Sequence, residues 1–463
     1  MKKSLAVFFL LLLCAAALIS ASAVGIGRAE EQVTITSQTL AGDPAAAAGI
    51  AVTERTTLKN HLLWETCFAA DNPAGASTDF SFFSSELRFD SLPEPYIEFM
   101  PYLNGGIGSS GDILADANED SYCGFPLSFA RALAAETAPG ETKKGSCVLA
   151  DYYEYLPYNL DYLMGGEYTL VYTEELEQQV RDFFRFKTPS DLVIDLELTK
   201  DNAGNTVNID YSCDSVNGGL QTVCTATEDG FYFTFLLDAL DELSFDEVPG
   251  GFGIYHLPWT LDESDSRGTY LLQGDQLANI YPLDAQNCKV LDLVLLSDKQ
   301  TLCLFTLEEG VCWLNLISLK TTSLIQRLAI DGNYADGFGI DPWVDEDFIL
   351  LCDWENSFSL LERGDDGQYT VAFSGNQRLE NPADPEQPIF LIGYDSTVAF
   401  DGQRLVIITP QDSRGINFWL GVFDQNGLAY AGSYVHSQTV FSNTTYSDSC
   451  VPIAQNAFSL EFV

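Results

Sequence analysis

The sequence has few of the residues on which most enzyme chemistry depends. It contains 3 histidines, 3 methionines and 22 lysine and arginine residues in 463 positions. No GxSxG, HExxH or phosphate-loop motif occurs, and no two cysteines have CxxC spacing. The usual anchors of serine-triad, zinc-hydrolase, nucleotide-binding and thioredoxin-like chemistry are therefore missing. His61, His256 and His436 lie far apart among strand-like residues, and we interpret each as a structural imidazole.

Positive charge is scarce beside negative charge. The 22 basic residues face 67 aspartates and glutamates, which gives a formal net charge of −45. Such a surface repels phosphate backbones and anionic lipid headgroups. We therefore predict no nucleic-acid partner. We interpret the acidity chiefly as a solubilising surface, although it can also attract cations, basic peptides or Ca²⁺.

A long uncharged run opens the chain. Met1 to Lys3 supply a positive flank, and no further charge occurs from Ser4 to Gly27. At about 1.5 Å per residue this run can cross a hydrocarbon layer of about 30 Å. It fits either an uncleaved anchor, which we favour, or a signal peptide cleaved after Ala23. The prediction is a single-pass cell-membrane protein with its body outside the cytoplasm, or a secreted protein if the run is removed.

Short apolar runs separated by turn residues dominate the rest of the chain. Three windows, Leu291 to Ile330, Asp347 to Gly375 and Ser396 to Val435, contain three or four such runs each. The breaks between them include hairpin dipeptides such as Asp401-Gly402, which tolerate positive φ. Each window therefore predicts an antiparallel meander. The windows advance by roughly 40 to 60 residues, which is the period of a propeller blade.

In this strand rhythm, the stretch from about Phe231 to Val463 resembles a β-propeller of the WD40-like or quinoprotein-like kind. The resemblance implies a ring of repeated antiparallel meanders, which the last run, AFSLEFV (Ala457 to Val463), could close by joining an earlier blade. A β-sandwich, or two stacked all-β domains, is the alternative. The layout also resembles uncharacterised exported bacterial proteins with an N-terminal anchor and a propeller-like ectodomain, from which no activity carries over.

We therefore predict a mainly β protein with three regions and a few short helices. Residues 1–28 form the anchor or signal, 29–215 a β-rich region with helical insertions that can belong to the same ring, and 216–463 the propeller-like region. Short helices are predicted in Pro126 to Gly140, which is rich in alanine, and in Thr173 to Phe186, which opens on a residue that caps helices.

Two motifs resemble ligand sites. Gly106 to Gly111 (GIGSSG) match GxGxxG, but the acidic segment that follows does not predict the helix that phosphate binding needs, so we interpret the motif as a loop. Asp116, Asn118 and Asp120 have the D-x-N-x-D spacing of a calcium loop, although Leu127 stands where the bidentate glutamate belongs. These three residues are the best candidate calcium site. A solvated acidic turn is the alternative.

No residue is predicted to be catalytic or to bind a cofactor, and we predict a non-catalytic binding or scaffolding protein for an extracellular protein or glycan. One alternative is a carbohydrate-active enzyme, because glycoside hydrolysis needs two carboxyls about 5 to 10 Å apart and 67 acidic residues make pairs inevitable. Another is a structural component of an envelope complex, which predicts a broad exposed apolar patch. Five tryptophans could stack on sugars or pack between strands, and we favour packing: Trp259, Trp313, Trp343, Trp354 and Trp419.

Overall fold

The structure is a computed structural model, in which the chain forms two compact units. Unit 1 comprises Met1–Ser91 and Ile340–Val463, and unit 2 comprises Leu92–Gly339. The described residues are 2–30, 32–58, 62–82, 96–101, 103–117, 124–163, 169–170, 173–213, 220–236, 244–261, 269–332, 334, 342–353, 357–381, 386–393, 396–411, 417–437 and 458–463.

Strands outnumber helices in both units. The helices are α1 (Lys2–Glu30), α2 (Ile113–Asp116), α3 (Leu127–Ala135) and α4 (Glu174–Phe183). The N-terminal strands, in unit 1, are β1 (Ile35–Gly42), β2 (Ile50–Leu58), β3 (Leu62–Ala69) and β4 (Asn72–Phe82). The strands of unit 2 are β5 (Tyr96–Met100), β6 (Gly105–Gly108), β7 (Thr142–Val148), β8 (Asn159–Leu163), β9 (Thr169–Leu170), β10 (Val193–Lys200), β11 (Thr206–Ser212), β12 (Thr222–Thr227), β13 (Gly230–Phe235), β14 (Gly253–Leu261), β15 (Thr269–Leu272), β16 (Ala278–Pro282), β17 (Lys289–Leu295), β18 (Thr301–Glu308), β19 (Val311–Ser318) and β20 (Ser323–Ile330). The C-terminal strands, in unit 1, are β21 (Trp343–Val344), β22 (Phe348–Cys352), β23 (Ser357–Arg363), β24 (Tyr369–Asn376), β25 (Arg378–Leu379), β26 (Ile389–Phe390), β27 (Thr397–Phe400), β28 (Leu405–Pro410), β29 (Asn417–Asp424), β30 (Gly427–His436) and β31 (Phe458–Phe462).

Unit 1 is built from antiparallel meanders that the two ends of the chain complete. One sheet runs β21-β22-β23-β24 in chain order. A second runs β27-β28-β29-β30 and gains β1 at its edge. A third runs β31-β2-β3-β4, so the last strand of the chain pairs with an N-terminal strand. This pairing confirms the sequence prediction that the AFSLEFV run joins an earlier meander.

Among its described residues, unit 2 contains one regular meander and three sheets of other topology, one of which is the two-stranded β5-β8 pair. The meander is β17-β18-β19-β20. A six-stranded sheet is formed around β12-β13-β14-β15, with β9 at its edge and β16 on β14. The third sheet runs β6-β11-β10-β7, out of chain order. A core of aromatic residues supports this unit, and Phe184 lies at its centre, with ring centroids 4.8 Å from Tyr255 and 5.1 Å from Phe99.

The hairpin between β18 and β19 shows why the strand rhythm predicts this fold. Glu308 pairs with Val311, which leaves Glu309 and Gly310 as a two-residue turn with φ of 51° and 81°. Positive φ at both central residues matches the right-handed twist of the flanking strands. The three predicted windows correspond to β17–β20, β22–β24 and β27–β30, so the meander prediction is confirmed there.

Both short helices are also confirmed. Helix α3 lies within the predicted segment and packs on β7 and β10. Helix α4 begins after Thr173, whose Oγ1 accepts a hydrogen bond from the backbone N–H of Leu176 at 3.1 Å. The α1 segment is helical, but among the described residues no helix combines the length and the apolar character that crossing a membrane requires.

The loop interpretation of the GxGxxG motif is wrong for Gly106 to Gly108, which lie in a strand, whereas Ser109 to Gly111 follow that strand without regular secondary structure. Gly105–Gly108 form the edge strand β6, in which Gly106 pairs with Asp210 and Gly108 with Asn208. The pairing with β11 satisfies the backbone groups on one side of β6, whereas a phosphate-binding loop would present successive amides to a ligand.

Candidate functional site

A polar groove of about 400 Å³ lies on one face of the β6-β11-β10-β7 sheet in unit 2. We call it the acidic groove. Its lining residues come from the three longer strands, β7, β10 and β11: Lys144, Gly145, Ser146, Asp195, Leu196, Glu197, Asp210, Tyr211 and Ser212. The lining contains three carboxylates and one lysine, so the groove carries a net negative charge.

Strand alternation places the carboxylates on the groove face. In β10, Ile194 and Leu196 are buried in the core of unit 2, while Asp195 and Glu197 point the other way. In β11, Ile209 is buried and Asp210 is exposed. The inward aliphatic side chains therefore fix the register, and that register turns the acidic side chains outward.

A charged row crosses the sheet at this point. Lys144 pairs in register with Glu197, Glu197 with Asp210, and Asp210 with Gly106. Two carboxylates directly opposite each other on neighbouring strands repel, so the row gains from a cation beside it. Lys144 Nζ lies 2.6 Å from Glu197 Oε2. The hydrogen bond with Glu197, and then its charge, raise the pKa of Lys144.

The other carboxylates of the groove are held by neighbouring polar groups. Ser146 Oγ donates a hydrogen bond to Asp195 Oδ1. Asn208 Nδ2 donates to Asp210 Oδ2 at 2.6 Å. These contacts orient the carboxylates, and each carboxylate retains further lone pairs that can accept from a ligand.

The glycines of β6 bring two side chains of β11 to the sheet edge. A Cβ atom at Gly106 would lie 2.5 Å from Asp210 Oδ1, and one at Gly105 would lie 2.7 Å from Tyr211 Oη. Glycine in a strand often marks a place where a ligand or another backbone approaches closely. No other described strand pairs with the outer edge of β6. A narrow edge strand with a single side chain, that of Ile107, therefore borders the acidic groove.

Only one of the three predicted calcium ligands lies within the described residues. Asp116 is the last residue of α2, while Asn118 and Asp120 lie outside the described residues. In the described part of the chain, no group of three or more histidine, cysteine, aspartate or glutamate side chains could hold a metal ion. The calcium site stays a prediction.

Two of the three histidines can be placed. His256 stacks on Tyr232 with centroids 4.3 Å apart, and its Nε2 lies 3.9 Å from Asp229 Oδ2. His436 is 2% exposed in unit 1. His61 lies outside the described residues. Burial lowers the pKa of His256 and lowers that of His436 to about 4.

The placed tryptophans pack against the protein. Trp259 is 4% exposed and donates from Nε1 to the carbonyl of Glu228 at 3.0 Å. The ring of Trp313 is covered by the guanidinium of Arg327, 4.2 Å from its centroid. Trp343 and Trp419 are half-buried beside the hydrophobic core of unit 1, and Trp354 lies outside the described residues.

Sequence reasoning missed the acidic groove, although a signal for it exists. The segment DLVIDLELT (Asp191 to Thr199) alternates acidic and aliphatic residues, which is typical of a strand with one buried and one polar face. The pairing of β10 with β11 is in chain order and brings Glu197 beside Asp210, whereas the pairing of β10 with β7, which adds Lys144, joins strands that are distant in the sequence.

Comparisons with known proteins give loose similarities to solved structures. A Bacteroides uniformis protein provisionally named a 6-phosphogluconolactonase is 11% identical over 89% of this chain and 99% of its own, with a TM-score of 0.31. The β-propeller domain of Cps50 (Swd1) from Myceliophteria thermophila gives 10% identity, 52% and 69% coverage, and a TM-score of 0.25. The Pseudomonas aeruginosa periplasmic gluconolactonase PpgL gives 10% identity, 59% and 72% coverage, and a TM-score of 0.24.

No protein-family model and no curated protein matches the sequence. At TM-scores this low, the similarities to solved structures carry no argument about this chain. The strand order itself is that of a mainly β, propeller-like fold, because successive four-stranded antiparallel sheets are the units from which propellers are built.

Proposed function

We propose that this protein is a non-catalytic binding protein outside the cytoplasm that recognises a cationic, extended ligand at the acidic groove. The observation that carries the proposal is the groove itself, a cavity of about 400 Å³ lined by Asp195, Glu197 and Asp210 against Lys144. Ligand pockets typically have volumes of about 300 to 1,000 Å³. A protein segment rich in lysine and arginine, or a glycan with amino groups, has the complementary charge.

The geometry of the groove favours an extended ligand. The row from Lys144 to Gly106 spans four strands that lie about 4.8 Å apart, so its acceptors are spread along a line. The edge of β6 adds backbone groups at the end of that line. A ligand in extended conformation can contact both, because main-chain hydrogen bonds at a sheet edge and side-chain contacts at alternate residues combine in strand addition.

The uncharged run from Ser4 to Gly27 supports export, and it would serve as a membrane anchor or be removed.

We also propose that the four-stranded meanders are blades of a β-propeller, with β31 closing the ring through β2. An experimental structure with the meanders stacked as a sandwich would contradict the blade arrangement.

Binding can be tested with three probes on the full chain: a lysine-rich peptide, a glucosamine oligomer and its neutral N-acetylated form. We expect the two cationic probes to bind and the affinity to fall as salt rises. Asp210→Asn should weaken binding about 10- to 150-fold, because a charge-assisted hydrogen bond contributes about 1.5 to 3 kcal/mol. Glu309→Gln changes the net charge equally at an exposed turn and should bind as the wild type does.

The same samples test the enzyme alternative. Its one supporting observation is that Glu197 and Asp210 are register partners, so two carboxyls share the groove face. Release of shorter oligomers that stops in Asp210→Asn would establish hydrolysis and overturn the non-catalytic proposal. Equal binding of the neutral probe, unaffected by Asp210→Asn, would show that charge at the groove does not select the ligand.

A further inference from the structure

Unit 1 buries a carboxyl group without a hydrogen-bond partner for one of its oxygens. Glu54 on β2 is 3% exposed, and its Oε2 accepts no hydrogen bond within the described residues. The imidazole Nε2 of His436 lies 3.9 Å from this oxygen. An ionised carboxylate in such a place loses its hydration without compensation, so the neutral form is strongly favoured.

Hydroxyl groups complete this cluster. In register, Glu54 faces Thr66 on β3, and Thr66 faces Thr78 on β4. The Oγ1 atoms of the two threonines are 2.9 Å apart, and Thr66 Oγ1 lies 3.4 Å from His436 Nε2. A polar row thus runs across β2, β3 and β4, and the imidazole of His436 from β30 lies beside Glu54 and Thr66.

Glu54 and His436 each pair, through the backbone, with one of the terminal strands β31 and β1. On its other side Glu54 pairs with Phe458 of β31, the C-terminal strand. His436 pairs with Ile35 of β1, the first strand. Both terminal strands are therefore direct backbone neighbours of the two titratable residues.

Within the described part of the chain, no other charged residue of these strands lies on the face of Glu54, and the one charged group of a neighbouring helix at this sheet is Glu30 of α1, whose Oε1 accepts from the backbone N–H of Phe80 on β4 at 3.0 Å. Arg55 and Glu65 form an ion pair of 2.8 Å on the opposite face, where Asp79 is the register partner of Glu65. Glu461 of β31 pairs with Ala51, so it also belongs to that opposite face, and it is exposed. Burial accounts for the shifts at both cluster residues: the pKa of Glu54 is raised well above 4.5, and that of His436 is lowered from 6.5 to about 4.

We propose that Glu54 and His436 form one buried proton-binding site that couples the pairing of the terminal strands β31 and β1 to pH. With one proton, carried by the carboxyl group, the site is neutral and the strands are held. Loss of that proton in alkaline solution places an uncompensated negative charge beside β31. Gain of a second proton in acid places a positive charge beside β1.

The direction of each effect follows from proton linkage. Above pH 4.5 the unfolded chain releases a proton that Glu54 keeps, so the folded state loses stability with rising pH until the raised pKa of Glu54 is passed. Between pH 6.5 and about 4, His436 binds a proton in the unfolded chain but stays neutral in the folded state. The folded state therefore loses stability with falling pH. The two effects oppose each other between pH 4.5 and 6.5, where the site contributes a plateau.

The test compares Glu54→Gln with the wild type by denaturant unfolding from pH 4 to 9. Above pH 4.5 the ratio of folding constants, variant over wild type, should rise by up to about tenfold per pH unit, because the folded wild type binds one proton more than its unfolded chain and the variant does not. Glu461→Gln, an exposed change on β31, should give a ratio that does not depend on pH. A flat ratio for Glu54→Gln, or the same slope in Glu461→Gln, would overturn the proposal.

Two measurements keep the test decisive if Glu54→Gln fails to fold. Carbon-13 spectra of the wild type should show Glu54 protonated and His436 neutral at pH 6, and a carboxylate signal for Glu54 at that pH would refute the site. Amide hydrogen exchange should show protection of β31 and β1 falling at pH 8 relative to pH 6, once corrected for intrinsic exchange rates. An equal fall across unit 2 would refute the coupling to the terminal strands.

Discussion

Units 1 and 2 share the four-stranded antiparallel meander but differ in how their sheets are completed. In unit 1 both ends of the chain are used, since β31 pairs with β2 and β1 with β30. In unit 2 the β6-β11-β10-β7 sheet is assembled out of chain order and ends in a short glycine-rich strand. In unit 1 the terminal strands β1 and β31 each form an edge of their sheet, whereas in unit 2 the short strand β6 forms an edge that borders the acidic groove.

The two units also place charge differently. Among the described residues, the carboxyl and imidazole side chains that are buried, Glu54 and His436, both lie in unit 1. The clustered carboxylates of unit 2 lie on a sheet face in contact with solvent. We infer that charge affects folding in unit 1 and ligand binding in unit 2. Substitutions in the two units can separate these effects.

The largest expected effect is in the aromatic core of unit 2. Phe184 is 1% exposed and contacts several rings, with Phe235 at 5.3 Å. Phe184→Ala removes this ring from a close-packed core and should cost about 4 kcal/mol of unfolding free energy. Phe458→Ala, which removes one ring at a chain end, should cost less. Denaturant unfolding of both variants measures the difference, and equal losses would show that the terminal strand is held as firmly as the core.

The second effect concerns a buried amide in unit 1. Gln377 is fully buried, donates to the carbonyl of Asp353 at 3.0 Å and accepts from the backbone N–H of Ile392 at 3.0 Å. Gln377→Leu leaves both backbone groups without this partner and should cost about 2 to 4 kcal/mol. Gln276→Leu, at an exposed position, is the control. A loss below about 1 kcal/mol would mean that water replaces the amide.

These contrasts explain how much of the molecule the sequence could predict. Meanders in chain order, such as β17–β20, are predictable because each strand pairs with the next and the turn residues mark the register. In the β6-β11-β10-β7 sheet only the β10-β11 hairpin follows chain order, and the pairings of β6 with β11 and of β7 with β10 are not predictable because helices separate those strands in the sequence. Glu54 gives no signal either, since TERTT reads as an ordinary polar strand until β30 covers it.

A third, smaller effect concerns a helix cap in unit 2. Thr173 caps α4 by accepting a hydrogen bond from Leu176. Thr173→Ala should cost about 1 kcal/mol, and Thr173→Ser should restore most of it because the hydroxyl is kept. The measurement is the denaturation midpoint of the full chain. If Thr173→Ala and Thr173→Ser lose the same amount, the methyl group rather than the cap is responsible.

The smallest expected effect is the stability change on removing charge from the acidic groove. Lys144 and Glu197 form an ion pair in which the side chains are 77% and 40% exposed, and such pairs contribute little because water screens them. Glu197→Gln should therefore change the unfolding free energy by less than about 0.5 kcal/mol at any pH between 5 and 8, unlike Glu54→Gln in unit 1. Relief of repulsion from Asp210 acts in the opposite direction to loss of the ion pair, which keeps the net change small. If Glu197→Gln instead destabilised the protein as strongly as Gln377→Leu, the groove carboxylates would be structural, and their arrangement would no longer favour a ligand-binding site.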